Sequence, residues 1–367
     1  MVDYSGRKIL VTGGTGFIGG RLAERLAVEQ QASVRVLVHD WRKAIWVSRA
    51  DVELVQGDVR DSHAVAQAMR GCDLVFHCVG VGGTLDQCMS INCEGTRNVL
   101  ESAMSAHVER VVYLSTIAVH GPNPPSHMDE NDDFRMTGSP YGDSKIAAEK
   151  LIWQFWQERH LPVVVLRPVP VWGPRSPSFT LWPINRMKIG QWFLVDRGRG
   201  ACHAVYVDNL VDALLLAGVR PTAVGEAFLI TDERPCTWAE FFGYYARMLE
   251  IRLPSVRSDI ARFALPAAEC MNRVLAKLEH TPAHEPARFV IRSLRRGLRP
   301  VPRLIFPAEA LDRSDVRKYA WQGEFNASKA RAVLGYRARI SMQEGMRETE
   351  AWLRDQRIIG PRRIAAH

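Results

Sequence analysis

The sequence predicts an α/β fold: a doubly wound parallel sheet, followed by a smaller and mainly helical C-terminal portion. Short apolar runs alternate with amphipathic stretches of helical period through the first half of the 367-residue chain, which is the rhythm of consecutive βαβ units. After Pro174 the alternation stops, and Pro, Gly and Trp become more frequent. With 47% hydrophobic and 24% charged residues, the chain can bury a sizeable core.

The expected elements follow from this periodicity. Strands are predicted near residues 8–12, 34–38, 52–56, 73–77, 110–115 and 162–166. Helices are predicted between them near 17–29, 61–70, 88–107 and 141–159, and later near 208–219, 237–250 and 260–279. We expect a division after residue 174, with a dinucleotide-binding domain over 1–174 and a substrate-binding portion over 175–367.

A glycine-rich turn directly follows the first predicted strand. It reads Thr12-Gly13-Gly14-Thr15-Gly16-Phe17-Ile18-Gly19. Gly13 permits the tight turn, Gly16 lets the backbone approach phosphates, and Gly19 lets the next helix pack closely on the strand. Free N–H groups and the positive end of the helix dipole then attract an anion. The turn predicts a binding site for a dinucleotide pyrophosphate.

Tyr141 and Lys145 stand four residues apart at the start of a predicted helix, so their side chains share one face. A phenol with an ordinary pKa of about 10 is a poor proton-transfer group at neutral pH. An ammonium about 4 Å away would favour the phenolate by roughly 4 kcal/mol at an effective dielectric of about 20. We therefore expect Lys145 to lower the pKa of Tyr141 into the range that proton transfer requires.

Two hydroxyls, Ser115 and Thr116, end the strand predicted at 110–115. Side chains at the carboxyl end of a parallel strand face the crevice in which doubly wound sheets bind ligands. The alternative is that the pair only satisfies backbone groups of the loop.

Together the three motifs resemble the short-chain dehydrogenase/reductase superfamily, in its extended, epimerase-like branch, over most of the chain. Further matching segments are Gly57-Asp58-Val59, Val75-Phe76-His77, Leu166-Arg167-Pro168, Trp172-Gly173-Pro174, Tyr206-Val207-Asp208-Asn209 and Leu334-Gly335-Tyr336. The resemblance implies a Rossmann sheet and a nicotinamide cofactor. It also implies that Tyr141 is the general acid/base, that Lys145 tunes it and holds the nicotinamide ribose, and that Thr116, with Ser115 beside it, hydrogen-bonds the reacting oxygen.

The same resemblance extends the cofactor site. Asp58 and Val59 would border the adenine, and Asn92 would brace the active-site loop. The residues expected to contact the cofactor are Gly13, Thr15, Gly16, Phe17, Ile18, Gly19, His39, Asp40, Arg42, Lys43, Asp58, Val59, Cys78, Val79, Gly80, Asn92, Tyr141, Lys145, Pro168 and Val171.

The choice between NAD and NADP depends on the register at the end of the second strand. An acidic residue there selects NAD, because it accepts hydrogen bonds from the ribose hydroxyls. In one register that position is Val38, and His39, Arg42 and Lys43 could surround a 2′-phosphate. A shift of two residues puts Asp40 at the ribose and restores NAD. The first register, and hence NADP, is slightly favoured.

Departures from the family patterns narrow the reaction. Dehydratases of this branch place an Asp-Glu pair where this chain has Ile117 and Ala118, so dehydration is not expected. Sugar-nucleotide epimerases usually carry Asn where this chain has Pro170, and Trp172 replaces their Tyr. We therefore expect an oxidoreductase acting on a secondary alcohol or ketone of a fairly apolar small molecule. The alternatives are a nucleotide-sugar epimerase and a non-catalytic dinucleotide-sensing protein.

The formal net charge of +8 is concentrated in a stretch of interleaved Arg and apolar residues at 287–306. This stretch, within an insertion-like region at about 257–306, is expected to be a helical lid with solvated arginines; peripheral contact with an anionic membrane is the alternative. No nucleic-acid-binding module accompanies the charge. Seven Cys without CxxC spacing argue against disulfides and bound metal. A cytoplasmic protein is expected. The resemblance also implies a homodimer, because the helix equivalent to the aromatic-rich one at 141–159 often pairs across a two-fold axis in this superfamily.

Overall fold

A computed structural model describes residues 2–121, 125–136, 138–232, 234–259 and 318–361. The chain divides into two compact units. The first contains residues 1–176, 203–234 and 324–345, and the second contains residues 177–202, 235–323 and 346–367. The first unit thus includes two segments that lie beyond the division expected after residue 174.

The first unit is built on a seven-stranded sheet whose strands are all parallel. The strands are β1 (Lys8–Thr12), β2 (Ser33–Val38), β3 (Val52–Gln56), β4 (Leu74–His77), β5 (Arg110–Leu114), β6 (Val163–Pro168) and β7 (Glu226–Ile230). Their order is β7-β6-β5-β4-β1-β2-β3. The order reverses between β1 and β4, and ligands of open α/β sheets bind at the carboxyl ends of the strands at such a switch point. The predicted doubly wound fold is confirmed.

Among the described residues, the α-helices of seven residues or more are α1 (Phe17–Val28), α2 (Ser62–Met69), α3 (Gly95–Ser105), α4 (Pro140–Arg159), α5 (Trp182–Lys188), α6 (Val207–Val219), α7 (Trp238–Met248) and α8 (Met342–Asp355). Local sequence explains several of their ends. Pro140 occupies the first turn of α4, where its fixed φ is favourable. Asp61 caps α2 by accepting hydrogen bonds from two backbone N–H groups. Thr237 and Glu240 form a capping box at the start of α7.

Several elements differ from the sequence predictions, and helices α5 and α8 were not predicted. Strand β7 was not predicted, because its only sheet partner, β6, is distant along the chain and the surrounding sequence reads as helical. The single helix predicted at 88–107 is instead a short α-helix at Leu85–Cys88, a π-helical stretch at Met89–Glu94, and α3. The helix predicted at 260–279 and nearly all of the 257–306 region lie outside the described residues.

The core of the first unit lies on both faces of the sheet. Strands β1, β4, β5 and β6 carry near-continuous runs of buried apolar residues, as expected of a parallel sheet that is covered by helices on both sides. Aromatic residues of α4 are used within this unit: the Trp153 indole donates to Glu149, and the Trp156 ring lies against Gly225. The expected homodimer through α4 stays a prediction.

The second unit contains α5, α7 and short strand pairs. Leu194–Val195 pairs with Ser255–Val256, and Ala201–Cys202 pairs with Cys236–Thr237. Its core is aromatic: Trp238 stacks on Phe242 with ring centroids 5.4 Å apart, and Trp192 contacts Phe242 edge-on at 4.7 Å. Over the residues that the structure describes, no helix is long and apolar enough to cross a bilayer.

Candidate active and cofactor-binding site

The glycine-rich turn connects β1 to α1 at the switch point of the sheet. Thr12 pairs with His77 of β4, so Gly13 lies against the backbone of Cys78. Gly13 has φ +74°, and a Cβ there would approach the Cys78 carbonyl to 2.8 Å. A Cβ at Gly19 would collide with the carbonyl oxygen of Gly13. Both positions therefore require glycine, as the sequence predicted.

The start of α1 offers backbone donors to an anion. Gly16 is its N-cap and forms no side-chain cap, and the first turn carries no acidic residue. The N–H groups of Phe17, Ile18 and Gly19 have no acceptor within the helix, because first-turn donors precede the i−4 pattern. These donors, beside the half-buried Thr15, fit a dinucleotide pyrophosphate.

The segment Cys78–Gly80 connects this turn to the tyrosine and lysine. The Cys78 N–H donates to the Thr12 carbonyl at 3.0 Å. The Lys145 ammonium donates to the Val79 carbonyl at 3.3 Å. A Cβ at Gly80 would lie 3.8 Å from a ring carbon of Tyr141. Burial raises the pKa of the Cys78 thiol to about 12, which disfavours the reactive thiolate.

Tyr141 and Thr116 are brought together at the start of α4. The Thr116 hydroxyl hydrogen-bonds the phenol of Tyr141, an interaction that lowers the phenol pKa. Burial outweighs it, and the pKa of Tyr141 lies above its ordinary value. The expected lowering of this pKa is therefore wrong for this structure, since the low-polarity surroundings disfavour the phenolate.

Lys145 is almost fully buried beneath Tyr141. Its ammonium donates to the Leu114 carbonyl at 2.7 Å and lies 4.3 Å from the centre of the Tyr113 ring. Burial lowers the pKa of Lys145 to about 7, and the negative charge of Glu149 opposes that shift. The ammonium is thus directed at backbone carbonyls and is poised to titrate near neutral pH.

Ser115 takes a different direction from its neighbour. Its hydroxyl donates to the Glu149 carboxylate at 2.5 Å, and the side chain is buried. Thr116, which contacts Tyr141, is therefore the hydroxyl available to a reacting oxygen. Ser115 was expected to lie beside Thr116 at the reacting oxygen. Its hydroxyl is instead bonded to Glu149.

Asn92 braces the loop beside the site. Its side chain accepts from the Val81 N–H and donates to the Val81 carbonyl, both at 2.9 Å. It also donates to the Ser144 hydroxyl at 2.9 Å, and Ser144 donates to the Tyr141 carbonyl at 2.8 Å. This arrangement connects the loop after β4 to the first turn of α4.

The segment after β2 carries the residues expected at the ribose. Strand β2 ends at the buried Val38, while His39 and Lys43 are exposed. The Asp40 carboxylate accepts from the Arg42 backbone and forms a two-bond pair with its guanidinium at 2.9 and 3.0 Å. The Arg42 side chain holds the pKa of Asp40 below its usual range. Arg42 is thus already paired with the one carboxylate of this group.

The residues expected at the adenine form a similar arrangement after β3. Asp58 forms a two-bond pair with the Arg60 guanidinium at 3.0 and 2.7 Å, which lowers the pKa of Asp58. Val59 is buried, and its carbonyl accepts from Asn98 at 2.9 Å. A Cβ at Gly95 would lie 2.7 Å from the Val59 side chain, so α3 packs closely there.

Three residues of the loop after β6 were assigned to the cofactor or the substrate. Pro168, the last residue of β6, is buried, and Val171 is half-buried in a short strand. Trp172 is fully buried, and its ring contacts Tyr206 with centroids 4.9 Å apart. Trp172 therefore packs inside the unit and does not present its indole to a substrate.

Sequence reasoning missed a buried polar cluster under the site. Glu149 accepts two hydrogen bonds from Arg167 and one from Ser115, and Arg167 also contacts His120 and the Glu130 carbonyl. The position of Glu149, one helical turn after Lys145, was the available signal. In the parts of the chain that are described, no group of three or more His, Cys, Asp or Glu residues could hold a metal ion.

The comparisons with known proteins agree with this geometry. Residues 9–230 match the model of the NAD-dependent epimerase/dehydratase family. The 2-alkyl-3-oxoalkanoate reductase of Shewanella oneidensis is 28% identical over 94% of this chain and 85% of its own length. The 4-hydroxy-2-methyl-3-oxo-4-farnesyl-3,4-dihydroquinoline-1-oxide ketoreductase of Stigmatella aurantiaca is also 28% identical, over 92% of this chain and 94% of its own length.

Among solved structures, an epimerase from Methanothermobacter thermautotrophicus superposes with a TM-score of 0.71. The match covers 97% of this chain and 94% of that chain at 22% sequence identity. At this identity the likeness shows a shared fold.

Proposed function

The chain belongs to the NAD-dependent epimerase/dehydratase family, and from that premise we propose that it is an oxidoreductase. It transfers a hydride between a nicotinamide cofactor and a secondary alcohol or ketone on a fairly apolar molecule. The observation that carries the proposal is the meeting of Thr116, Tyr141 and Lys145 beside the segment Cys78–Gly80, which leads directly to the glycine-rich turn.

The bound nicotinamide supplies or accepts the hydride. Tyr141 exchanges the proton of the substrate oxygen, and Thr116 orients that oxygen through its hydroxyl. Lys145 would hold the nicotinamide ribose, and the first turn of α1 would hold the pyrophosphate.

The relatives support a ketone as substrate. One is named as a reductase of 2-alkyl-3-oxoalkanoates and another as a ketoreductase of a farnesylated compound. Both names describe a carbonyl group on a molecule with a large apolar part. We therefore assign reduction of a hydrophobic ketone as the physiological direction.

For the cofactor, the proposal is NAD(H), which reverses the slight preference for NADP drawn from the sequence. The Asp40 carboxylate stands two residues after the end of β2 and is paired with Arg42. A carboxylate there accepts hydrogen bonds from ribose hydroxyls and repels a 2′-phosphate. The family's description as NAD-dependent supports the same choice.

Replacing Tyr141 tests the proposed chemistry. Tyr141→Phe should lower the turnover of an alkyl-substituted ketone with NADH by on the order of 10²–10⁴-fold, because the proton donor is lost. NADH affinity, followed by nicotinamide fluorescence, should stay close to wild type. Tyr244→Phe, on α7, is the matched control and should retain full turnover.

Retained turnover in Tyr141→Phe, or loss of NADH binding, would contradict the assigned role. Cofactor released on denaturation of the purified protein distinguishes the alternative reaction. Near-stoichiometric NAD would favour an epimerase that keeps its cofactor through turnover, whereas little bound cofactor supports the oxidoreductase.

A further inference from the structure

The lysine beneath Tyr141 has an unusual environment for a cation. Lys145 is 1% exposed, and its two bonded acceptors are the neutral carbonyls of Leu114 and Val79. A buried ammonium with neutral partners tends to lose its proton, because burial disfavours the charged form. Some nearby negative charge must therefore support it if it is to act as a cation.

Glu149 stands one turn further along α4, on the same helix face as Lys145. Its side chain is fully buried. Its carboxyl group is bonded to Arg167 at 2.9 and 2.5 Å, to Ser115 at 2.5 Å and to Trp153 at 3.3 Å. A guanidinium and an indole N–H can only donate, so Glu149 forms an ion pair with Arg167 in which the carboxylate accepts.

We infer that Glu149 is a positioning residue for the reaction: its buried carboxylate favours the ammonium form of Lys145, the form in which that side chain would hold the cofactor ribose. The inference rests on the proposed function, in which Lys145 binds the cofactor as a cation. Glu149 does not touch the cofactor in this role and acts through Lys145.

The other titratable groups around Lys145 do not supply this charge. His77 and Cys78 lie at the end of β4, and Tyr113 lies on β5. Burial and the nearby Lys145 charge lower the pKa of His77 to about 3, so it is neutral at working pH. The thiol of Cys78 and the phenol of Tyr113 are also neutral, because burial raises their pKa values.

The remainder of the cluster holds Glu149 in place. Leu114 pairs with Leu166 in the sheet, which puts Ser115 beside Arg167 at the ends of β5 and β6. Both side chains then meet the Glu149 carboxylate from the sheet side. Arg167 is fixed in turn by the Glu130 carbonyl at 2.8 Å and by His120 at 3.2 Å. The carboxylate is thus held rigidly and does not depend on a ligand for its position.

The test measures the protonation of Lys145 and the binding of NADH, each as a function of pH. Proteins with ¹³Cε-labelled lysine report the Lys145 titration by NMR without any ligand, and Lys145→Met identifies its signal. In Glu149→Gln the midpoint should fall by about one pH unit or more, since an opposite charge is removed. NADH affinity should then be roughly tenfold weaker than wild type at pH 8 and nearly equal at pH 5.

Two variants serve as matched controls. Glu149→Asp retains the charge and should keep the wild-type midpoint to within a few tenths of a pH unit. Trp153→Phe removes one hydrogen bond to the carboxylate and leaves its charge, so it should leave both pH profiles unchanged. If Glu149→Gln does not fold, Glu149→Gln combined with Arg167→Met removes both buried charges and should show a shift in the same direction.

An unchanged Lys145 midpoint in a folded Glu149→Gln protein overturns the inference, as does an equal shift in Trp153→Phe. A shifted midpoint in a protein that binds NADH at no pH would instead overturn the proposed function and leave the link between Glu149 and Lys145 standing.

Discussion

The buried polar cluster under Tyr141 and the exposed rim after β2 contain the same chemical pair in two environments. Glu149 and Arg167 meet at 2.5 Å with side chains that are 0% and 5% exposed. Asp40 and Arg42 meet at 2.9 Å, but the Arg42 side chain is 90% exposed. Both arginines engage their carboxylate through two nitrogens.

The two environments give the pairs different consequences. Water competes for the exposed pair and screens it, so it can open and form new bonds at little cost. Neither partner of the buried pair can be removed alone without leaving an uncompensated charge in a low-dielectric interior. The part of the site around Tyr141, to which we assign proton transfer, is therefore fixed in advance, while the part after β2, which we propose selects the cofactor, can adjust to what binds.

Removing one arginine from each pair should give the largest contrast. Arg167→Met leaves the Glu149 carboxylate buried without its counter-charge, and we expect the free energy of unfolding to fall by about 3–5 kcal/mol. Arg42→Met should leave the urea midpoint unchanged, because its side chain lies in water. Urea unfolding followed by tryptophan fluorescence measures both. Equal urea midpoints for the two variants would contradict the distinction between the buried and the exposed pair.

His77 is buried like Glu149 and Arg167, but it carries no charge. Its ring nitrogens meet the Thr12 hydroxyl at 2.6 Å and the Thr96 hydroxyl at 2.9 Å, and Thr96 donates to the Asn92 carbonyl at 2.6 Å. Because the Thr96 hydroxyl donates its proton to the Asn92 carbonyl, it can only accept from His77. His77 therefore donates from Nε2 to Thr96 and accepts at Nδ1 from Thr12. A neutral imidazole fits this series of hydrogen bonds, and burial lowers the pKa of His77 from 6.5 to about 3.

The sign of the resulting pH dependence follows from proton binding. Between pH 6.5 and 3 the unfolded chain binds a proton at His77 and the folded protein does not, so stability falls as the pH falls through this window. From pH 7.5 to 5 this residue alone should cost roughly 2 kcal/mol. His77→Gln should lose stability less steeply over that range in urea titrations. Parallel pH curves for the two proteins would contradict the neutral assignment.

Features that depend on backbone geometry were predictable from the sequence. The glycine turn follows from steric limits that act within a few residues, so the need for glycine at Gly13 and Gly19 is predictable from the sequence. Helical spacing likewise put Tyr141 and Lys145 on one face, and the alternation of apolar runs predicted the doubly wound sheet.

Features that depend on distant partners or on burial were not predictable. Strand β7 joins the sheet only through its pairing with β6. The pKa of Tyr141 was expected to fall because spacing alone suggested a nearby cation, whereas burial raises it. The contact between Glu149 and Arg167 needs the register of β5 and β6, which no local pattern reveals.

The exposed pair offers the smallest and most specific effect. Asp40→Asn removes the negative charge that would face a 2′-phosphate and frees Arg42 to bind it. We expect the ratio of NADPH to NADH affinity to rise about tenfold, with an unchanged urea midpoint, since an exposed pair adds little to stability. Fluorescence titrations with both cofactors measure the ratio, and Asp51→Asn, at an exposed carboxylate just before β3, is the control. If the ratio of the two affinities stays constant in Asp40→Asn, Asp40 and Arg42 do not select the cofactor. The ability of this exposed pair to open then has no part in cofactor recognition.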